Sequence, residues 1–158
     1  KNAFFRAISS LSEMTFDGET DIEKCVVSCP STGSSNGLSV IISDFFTDSD
    51  WKKAVDYLCY KHRQVLLVQV LSPEDVDPSY DGRVSMIDSE AVDLSDSRNM
   101  KIKITRSMQK AYEEAYRDFT QDIRSFCSKR GVDYISVRTD SPIERVLFGE
   151  MLKVGIMS

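Results

Sequence analysis

Three short apolar runs stand out along the chain, and each leads into polar or acidic residues. They cover Gly37–Asp44, Gln64–Val70 and Asp133–Asp140. Runs of this length, rich in Val and Ile and apolar at successive positions, are typical of strands in a parallel sheet. Within the first run, we predict that Leu38–Ser43 forms a strand that is buried on both faces.

Between these runs, apolar residues recur at spacings of three and four, as on one face of a helix. This spacing predicts a helix over Asp50–His62, with Trp51 in the core. It also predicts a longer helix over Met108–Phe126, which Gly131 ends in the position that a helix terminus prefers.

Shorter helices are predicted near both ends of the chain. Phe4, Ile8 and Leu11 indicate an amphipathic opening helix, and a second helix follows with Thr20 as its N-cap. Ser141–Glu144 has the pattern of a capping box with proline at the first helical position, and it opens the last helix. The side chains expected to point inward from that helix are Ile143, Leu147, Met151 and Leu152.

The order of these elements predicts the fold class. Three short pieces, residues 84–87, 91–94 and 101–105, alternate only in part and predict an antiparallel ribbon. Helices and parallel strands alternate around it. We therefore predict one α/β domain over residues 1–158, a three-layer sandwich with a mainly parallel sheet.

Composition narrows the classes of partner. The formal charge is −5 and Lys and Arg are dispersed, which argues against a nucleic-acid surface. No apolar stretch reaches the roughly 18 residues of a membrane span. The chain opens at Lys1 without a methionine, so we expect a fragment that lacks its N-terminal strands. The expected location is the cytoplasm, with a membrane anchor left open for the part upstream.

The cysteine and histidine residues give little indication of a catalytic or metal-binding site. Cys25, Cys29, Cys59 and Cys127 are expected to be small buried hydrophobes in a reducing compartment. Cys25 and Cys29 could share a metal, but no second pair has ligand spacing. His62 lies at a predicted helix end, where positive charge complements the helix dipole.

The acidic ends of the predicted strands are the best candidates for a functional site. In open α/β sheets, ligands bind outside the carboxyl ends of the strands. Asp44 follows the first strand directly and is the strongest single candidate. The binding rim that we predict consists of Ser43, Asp44, Glu74, Asp75 and Asp140.

Several of these residues lie in motifs that resemble a known family. Gly18-x-Thr20-Asp21-Ile22, followed by a strand that ends Ser43-Asp44-Phe45-Phe46, resembles the second half of a von Willebrand factor A-like domain. The pattern is most similar to the bacterial family called domain of unknown function 58. Further matches are Val70–Asp75, residues 82–90, the helix from Tyr112 to Phe126, and Val137–Pro142.

The resemblance implies a metal-ion-dependent adhesion site. In that family, a magnesium-like cation is held by an Asp-x-Ser-x-Ser loop, a threonine and an aspartate, in octahedral oxygen coordination. Thr20 and Asp44 match the threonine and the aspartate, but the loop should precede Thr20 and is not in this chain. We expect no cofactor in this fragment and magnesium in the complete domain. Asp93–Ser97 satisfies the loop pattern, but it lies far downstream of Asp44.

Simpler roles stay open for both matching residues. Thr20 could be a helix N-cap without a metal, and Asp44 could cap the loop that follows its strand.

Two functional classes follow from the sequence. The resemblance implies a non-enzymatic protein-protein interaction module, with a MoxR-type AAA ATPase as the expected partner. The alternative is a small α/β hydrolase or phosphoryl-transfer enzyme that uses the acidic rim at Asp44. The lack of a recognisable nucleophile and base favours the first class. An uncovered strand edge is a template for pairing, so we expect the Leu38–Ser43 edge to be covered either by a second copy of the chain, as a homodimer, or by another chain segment.

Overall fold

The chain folds around a small parallel sheet with helices packed against it. The computed structural model describes residues 2–15, 20–29, 37–78, 82–86 and 100–153. Its strands are β1 (Leu38–Ser43), β2 (Gln64–Leu71), β3 (Gly82–Met86), β4 (Met100–Ile104) and β5 (Asp133–Arg138). Its helices are α1 (Asn2–Ser12), α2 (Ile22–Ser28), α3 (Trp51–Tyr60), α4 (Pro73–Val76), α5 (Arg106–Arg130), α6 (Ile143–Arg145) and α7 (Met151–Lys153), with a π-helical turn over Val146–Glu150.

The parallel sheet has the order β1-β2-β5. Leu38 lies opposite Gln64 in the first pairing, and Leu66 lies opposite Asp133 in the second. The prediction of an α/β fold with a parallel sheet is confirmed. β3 and β4 pair antiparallel as a separate two-stranded sheet. The predicted piece at residues 91–94 lies outside the described residues.

The main core lies between the sheet and the helices α3 and α5. Trp51 is 6% exposed, and its ring centroid lies 5.2 Å from that of Phe45 and 5.1 Å from that of Phe126. Leu67 of β2 and Ile123 of α5 are fully buried in the same cluster. The predicted core position of Trp51 and the apolar face of α3 are therefore confirmed. Such a cluster of aliphatic and aromatic side chains supplies most of the apolar burial that stabilises a domain of this size.

The prediction that β1 is buried on both faces is wrong. Its residues alternate between exposed and half-buried, and Ile42 is 68% exposed. β2, in contrast, is buried along most of its length. The reason is position in the sheet: β2 has a strand on each side, whereas β1 pairs only with β2 in the part of the chain that the structure describes. The opening helix α1 forms as predicted, yet Phe4, Ile8 and Leu11 on it are exposed.

The helix ends differ from the sequence prediction at two places. Asp21, not Thr20, is the N-cap of α2, and its carboxylate accepts a hydrogen bond from the amide of Lys24 at 2.9 Å. The predicted capping box at Ser141–Glu144 is wrong, because α6 begins after Pro142 without a side-chain cap. Gly131 ends α5 with φ of 65°, as predicted.

The last helical segment turns only some of the predicted side chains inward. Met151 packs against Leu66, Val68 and Ile135, and Leu147 is half-buried. Ile143 and Leu152 are exposed, whereas Val146 is buried. The segment contains a π-helical turn, whose i→i+5 hydrogen bonding shifts the face that points to the core.

The four cysteines have different surroundings. Cys127 is buried, and burial raises the pKa of its thiol to about 11. Cys59 is half-buried, while Cys25 and Cys29 are exposed, so the prediction of buried cysteines is wrong for these two.

None of the helices that the structure describes is both long enough and apolar enough to cross a membrane.

Candidate functional site

The carboxyl ends of β1, β2 and β5 lie at one edge of the sheet, since the three strands are parallel. We call this edge the carboxyl rim. Asp44 follows β1, Glu74 and Asp75 follow β2, and Asp140 follows β5. The predicted rim residues are therefore brought to one edge of the fold. We call residues 72–78, which follow β2 and contain the short helix α4, the β2 loop. Because β2 is the central strand, Asp44 and Asp140 lie on opposite sides of the β2 loop.

A tight turn places Asp44 at the end of β1. One carboxylate oxygen of Asp44 accepts a hydrogen bond from the amide of Phe46 at 2.9 Å. The hydroxyl of Ser43 accepts one from the amide of Phe45 at 3.0 Å, and Phe45 has a left-handed φ of 64°. Asp44 thus has the loop-capping role that the sequence left open, and its side chain is exposed. The turn buries the ring of Phe45 and leaves that of Phe46 48% exposed.

The segment that carries Thr20 lies against the loop that follows Asp44. The hydroxyl of Thr47 donates to the carbonyl of Thr20 at 3.4 Å, and the amide of Ile22 donates to the hydroxyl of Ser49 at 3.2 Å. Thr20 and Asp44 therefore belong to neighbouring loops. Among the residues described, no three His, Cys, Asp or Glu side chains form a group that could hold a metal. Two oxygen ligands alone do not provide octahedral coordination.

A polar contact that was not predicted from the sequence lies beneath the rim. Gln69 of β2 is 0% exposed, and its amide nitrogen donates to the carbonyl of Asp44 at 3.1 Å. The hydroxyl of Tyr134 on β5 donates to the side-chain oxygen of Gln69 at 2.5 Å. Burial raises the pKa of Tyr134. The available signal was a glutamine inside the apolar run of β2.

The β2 loop is stabilised by its own side chains and by α5. Ser72 and Asp75 form a reciprocal capping box, with hydrogen bonds of 3.1 Å and 2.7 Å. The hydroxyl of Tyr112 donates to the carbonyl of Asp75 at 2.7 Å. Glu74 lies in the first turn of α4 and is exposed. The α5 helix therefore contacts the rim at the β2 loop.

The fourth acidic residue of the rim, Asp140, forms a bidentate ion pair with Arg138. The two nitrogen–oxygen distances are 3.0 Å and 2.6 Å. The hydrogen bonds from Arg138 hold the pKa of the Asp140 carboxyl below its usual value. Beside the pair is an open cavity of about 430 Å³, lined in part by Ser141, Arg145 and Glu150.

This ion pair gives a pH prediction. We expect the pKa of Asp140 to lie below that of an unpaired aspartate. The ion pair should then stabilise the fold above the unfolded-state pKa, and this stabilisation should be lost as pH falls through the folded-state pKa. In the Arg138→Gln variant, the pH midpoint of the Asp140 titration should rise. NMR of the side-chain carboxyl carbon would measure this midpoint. Arg124→Gln is the control and should leave the Asp140 midpoint unchanged. Equal midpoints in the protein and in Arg138→Gln would contradict the assignment.

Comparison with known proteins identifies a family that the chain matches. A family model described as "Protein of unknown function DUF58" matches residues 1–122. The match includes β1, β2 and the rim residues Asp44, Glu74 and Asp75, whereas Asp140 lies outside it. Neither the search of curated proteins nor that of solved structures found a match.

Proposed function

The chain belongs to the DUF58 family of proteins of unknown function, and we propose that it is a non-enzymatic protein-protein interaction module of the von Willebrand A type. In this proposal the carboxyl rim is the recognition surface. The position of the rim supports it, because ligands of open α/β sheets bind outside the carboxyl ends of the strands.

The main support for the proposal is that three rim carboxylates form hydrogen bonds or an ion pair within the rim itself. Asp44 accepts from the Phe46 amide, Asp75 accepts from the Ser72 amide, and Asp140 pairs with Arg138. These contacts fix the three loops in defined conformations. A surface ordered in advance loses little conformational entropy when it binds a partner, which suits recognition. A catalytic acid or base would instead need a pKa tuned to proton transfer, and the pKa of Asp140 is shifted down, away from neutral pH.

The finer features of the proposal come from the resemblance to the von Willebrand A type. The complete fold would be a three-layer sandwich, with helices on both faces of the sheet. Magnesium would be held by Thr20 and Asp44 together with an Asp-x-Ser-x-Ser loop, and it would offer an open position to a carboxylate of the partner. The contact between the loops of Thr20 and Asp44 is consistent with such a site.

The proposed partner is a MoxR-type AAA ATPase. A second copy of the chain is a further candidate at β1, because Val40 and Ile42 are exposed beside a strand edge that no other described strand pairs. Both proposed partners, the ATPase and a second copy of the chain, are proteins.

The proposal predicts that Asp44 contributes to partner binding. We expect Asp44→Ala to weaken binding of a purified MoxR-type AAA ATPase from the same organism by about tenfold, as for a central interface residue. Biolayer interferometry with the immobilised protein would measure the change. The matched control is Asp133→Ala, which removes a carboxylate at the opposite end of the sheet, where β5 begins, and should leave the affinity unchanged.

Two results would contradict the proposal. If Asp44→Ala and Asp133→Ala weaken binding of the ATPase equally, the rim is not the specific binding surface. Turnover of phosphoester or ester substrates that disappears in Asp44→Asn would favour the hydrolase or phosphoryl-transfer alternative.

A further inference from the structure

A row of stacked aromatic rings lies along α5 beside the carboxyl rim. The ring of Phe46 stacks on that of Phe119 with centroids 5.2 Å apart, and Tyr112 stacks on Tyr116 at 6.4 Å. Tyr112, Tyr116 and Phe119 are spaced by four and three residues, so they share one face of α5. We call Phe46, Phe119, Tyr116 and Tyr112 the aromatic row. Phe46 and Tyr112, at its two ends, are the exposed members.

Contacts at both ends fix the aromatic row to the rim. At one end, Phe46 belongs to the turn that Asp44 caps. At the other end, the hydroxyl of Tyr112 donates to the carbonyl of Asp75 in the β2 loop. The row therefore extends from the turn that follows β1 to the β2 loop. Rings held by stacking and by a hydrogen bond lose little freedom when a partner binds, which is how aromatic contact surfaces gain affinity.

Carboxylates flank the aromatic row at both ends. The exposed carboxylate of Asp44 lies two residues before Phe46, and the β2 loop carries Glu74, Asp75 and Asp77. Aromatic faces and carboxylates both attract cations, and the guanidinium of arginine can stack on a ring while it pairs with a carboxylate. The phosphates of a nucleic acid would instead be repelled by these carboxylates.

We propose that the aromatic row binds a protein segment in which arginine or lysine residues alternate with apolar residues. The apolar residues would cover the exposed faces of Phe46 and Tyr112. The cationic side chains would reach the rings and the carboxylates at the two ends. This inference rests on the proposed function, in that the rim is taken as a recognition surface, and it adds the chemistry of the partner.

Fluorescence anisotropy with designed peptides tests the inference. The probes are three labelled peptides that alternate arginine with leucine, glutamate with leucine, and arginine with serine. We expect the arginine-leucine peptide to bind at least tenfold more tightly than either of the others. Phe46→Ala and Tyr112→Ala should each weaken its binding several-fold, and Phe46→Leu, which keeps the apolar bulk but removes the ring, should also weaken it. Tyr60→Ala is the matched control, since Tyr60 is an exposed aromatic residue at the far end of α3.

Several outcomes would overturn the inference. Equal binding of the arginine and glutamate peptides would exclude charge recognition, and equal binding of the leucine and serine peptides would exclude the aromatic row. Unchanged binding in both Phe46→Ala and Tyr112→Ala would place the peptide elsewhere. Tighter binding of a DNA duplex that needs the same two rings would assign the row to nucleic acid. Each of these results leaves the ATPase measurement with Asp44→Ala intact, so the two proposals fail separately.

Discussion

Replacement of Trp51 by alanine is expected to lower the free energy of unfolding by about 3–5 kcal/mol. The indole ring is almost fully buried between Phe45 and Phe126, and its removal leaves a cavity that the sheet and two helices cannot fill by small shifts. Urea denaturation followed by circular dichroism would measure the change. The slope of the transition should stay the same, because the variant changes stability rather than the surface exposed on unfolding.

The same helix supplies the control for this measurement. Tyr60 is 78% exposed, and Tyr60→Ala should change the free energy of unfolding by less than about 0.5 kcal/mol. A loss of similar size in both variants would mean that α3 does not pack on the sheet in the way described.

Replacement of Gln69 by leucine is expected to lower the free energy of unfolding by about 3 kcal/mol, although leucine suits a buried strand. The loss arises because two partly buried groups lose their buried partner: the carbonyl of Asp44 and the hydroxyl of Tyr134. Gln64→Leu is a matched control at the exposed start of the same strand and should be nearly neutral. Chemical denaturation of the two variants would show the difference.

A double variant separates the polar contact from simple packing. Tyr134→Phe combined with Gln69→Leu removes the orphaned hydroxyl, so part of the stability should return. Amide exchange at Phe46 should be faster in Gln69→Leu, because the glutamine no longer holds the Asp44 carbonyl. A Gln69→Leu protein as stable as the original, with unchanged exchange at Phe46, would show that Gln69 does not support the rim.

Local patterns in the sequence were sufficient to predict most of the elements. The strands β1, β2 and β5 and the helices α3 and α5 follow from apolar spacing, which reflects which side of an element faces the core. Burial of β1 was not predictable in this way. It depends on how many strands pair with β1, and strand pairing is a long-range property.

The two serine-proline patterns show why helix caps could not be predicted reliably from the sequence. Ser72-Pro-Glu-Asp and Ser141-Pro-Ile-Glu look alike, but only the first forms a capping box. The amide of Ser141 donates to the carbonyl of Arg138, so this serine belongs to the turn after β5. For α2, Thr20 and Asp21 are adjacent residues that can both cap, and the backbone geometry selects Asp21.

The candidate site was predictable only in part. The sequence placed Asp44, Asp75 and Asp140 at strand ends, because parallel strands have their carboxyl ends on one side. It gave no sign that Tyr134, 65 residues away, supports Gln69. Nor did it show that Tyr112 reaches the β2 loop across 37 residues. Contacts between distant segments depend on the packing of whole elements, which periodicity does not encode.

The turn at Asp44 gives the protein an intrinsic optical reporter. Phe45 and Phe46 are adjacent, yet the first ring packs on Trp51 in the interior and the second stacks on Phe119 at the surface. A molecule that displaces Phe46 must therefore strain the short backbone link to Phe45 and disturb the surroundings of the indole. Trp51 is the only tryptophan of the chain, so its emission spectrum should respond to occupancy of the rim without any attached label.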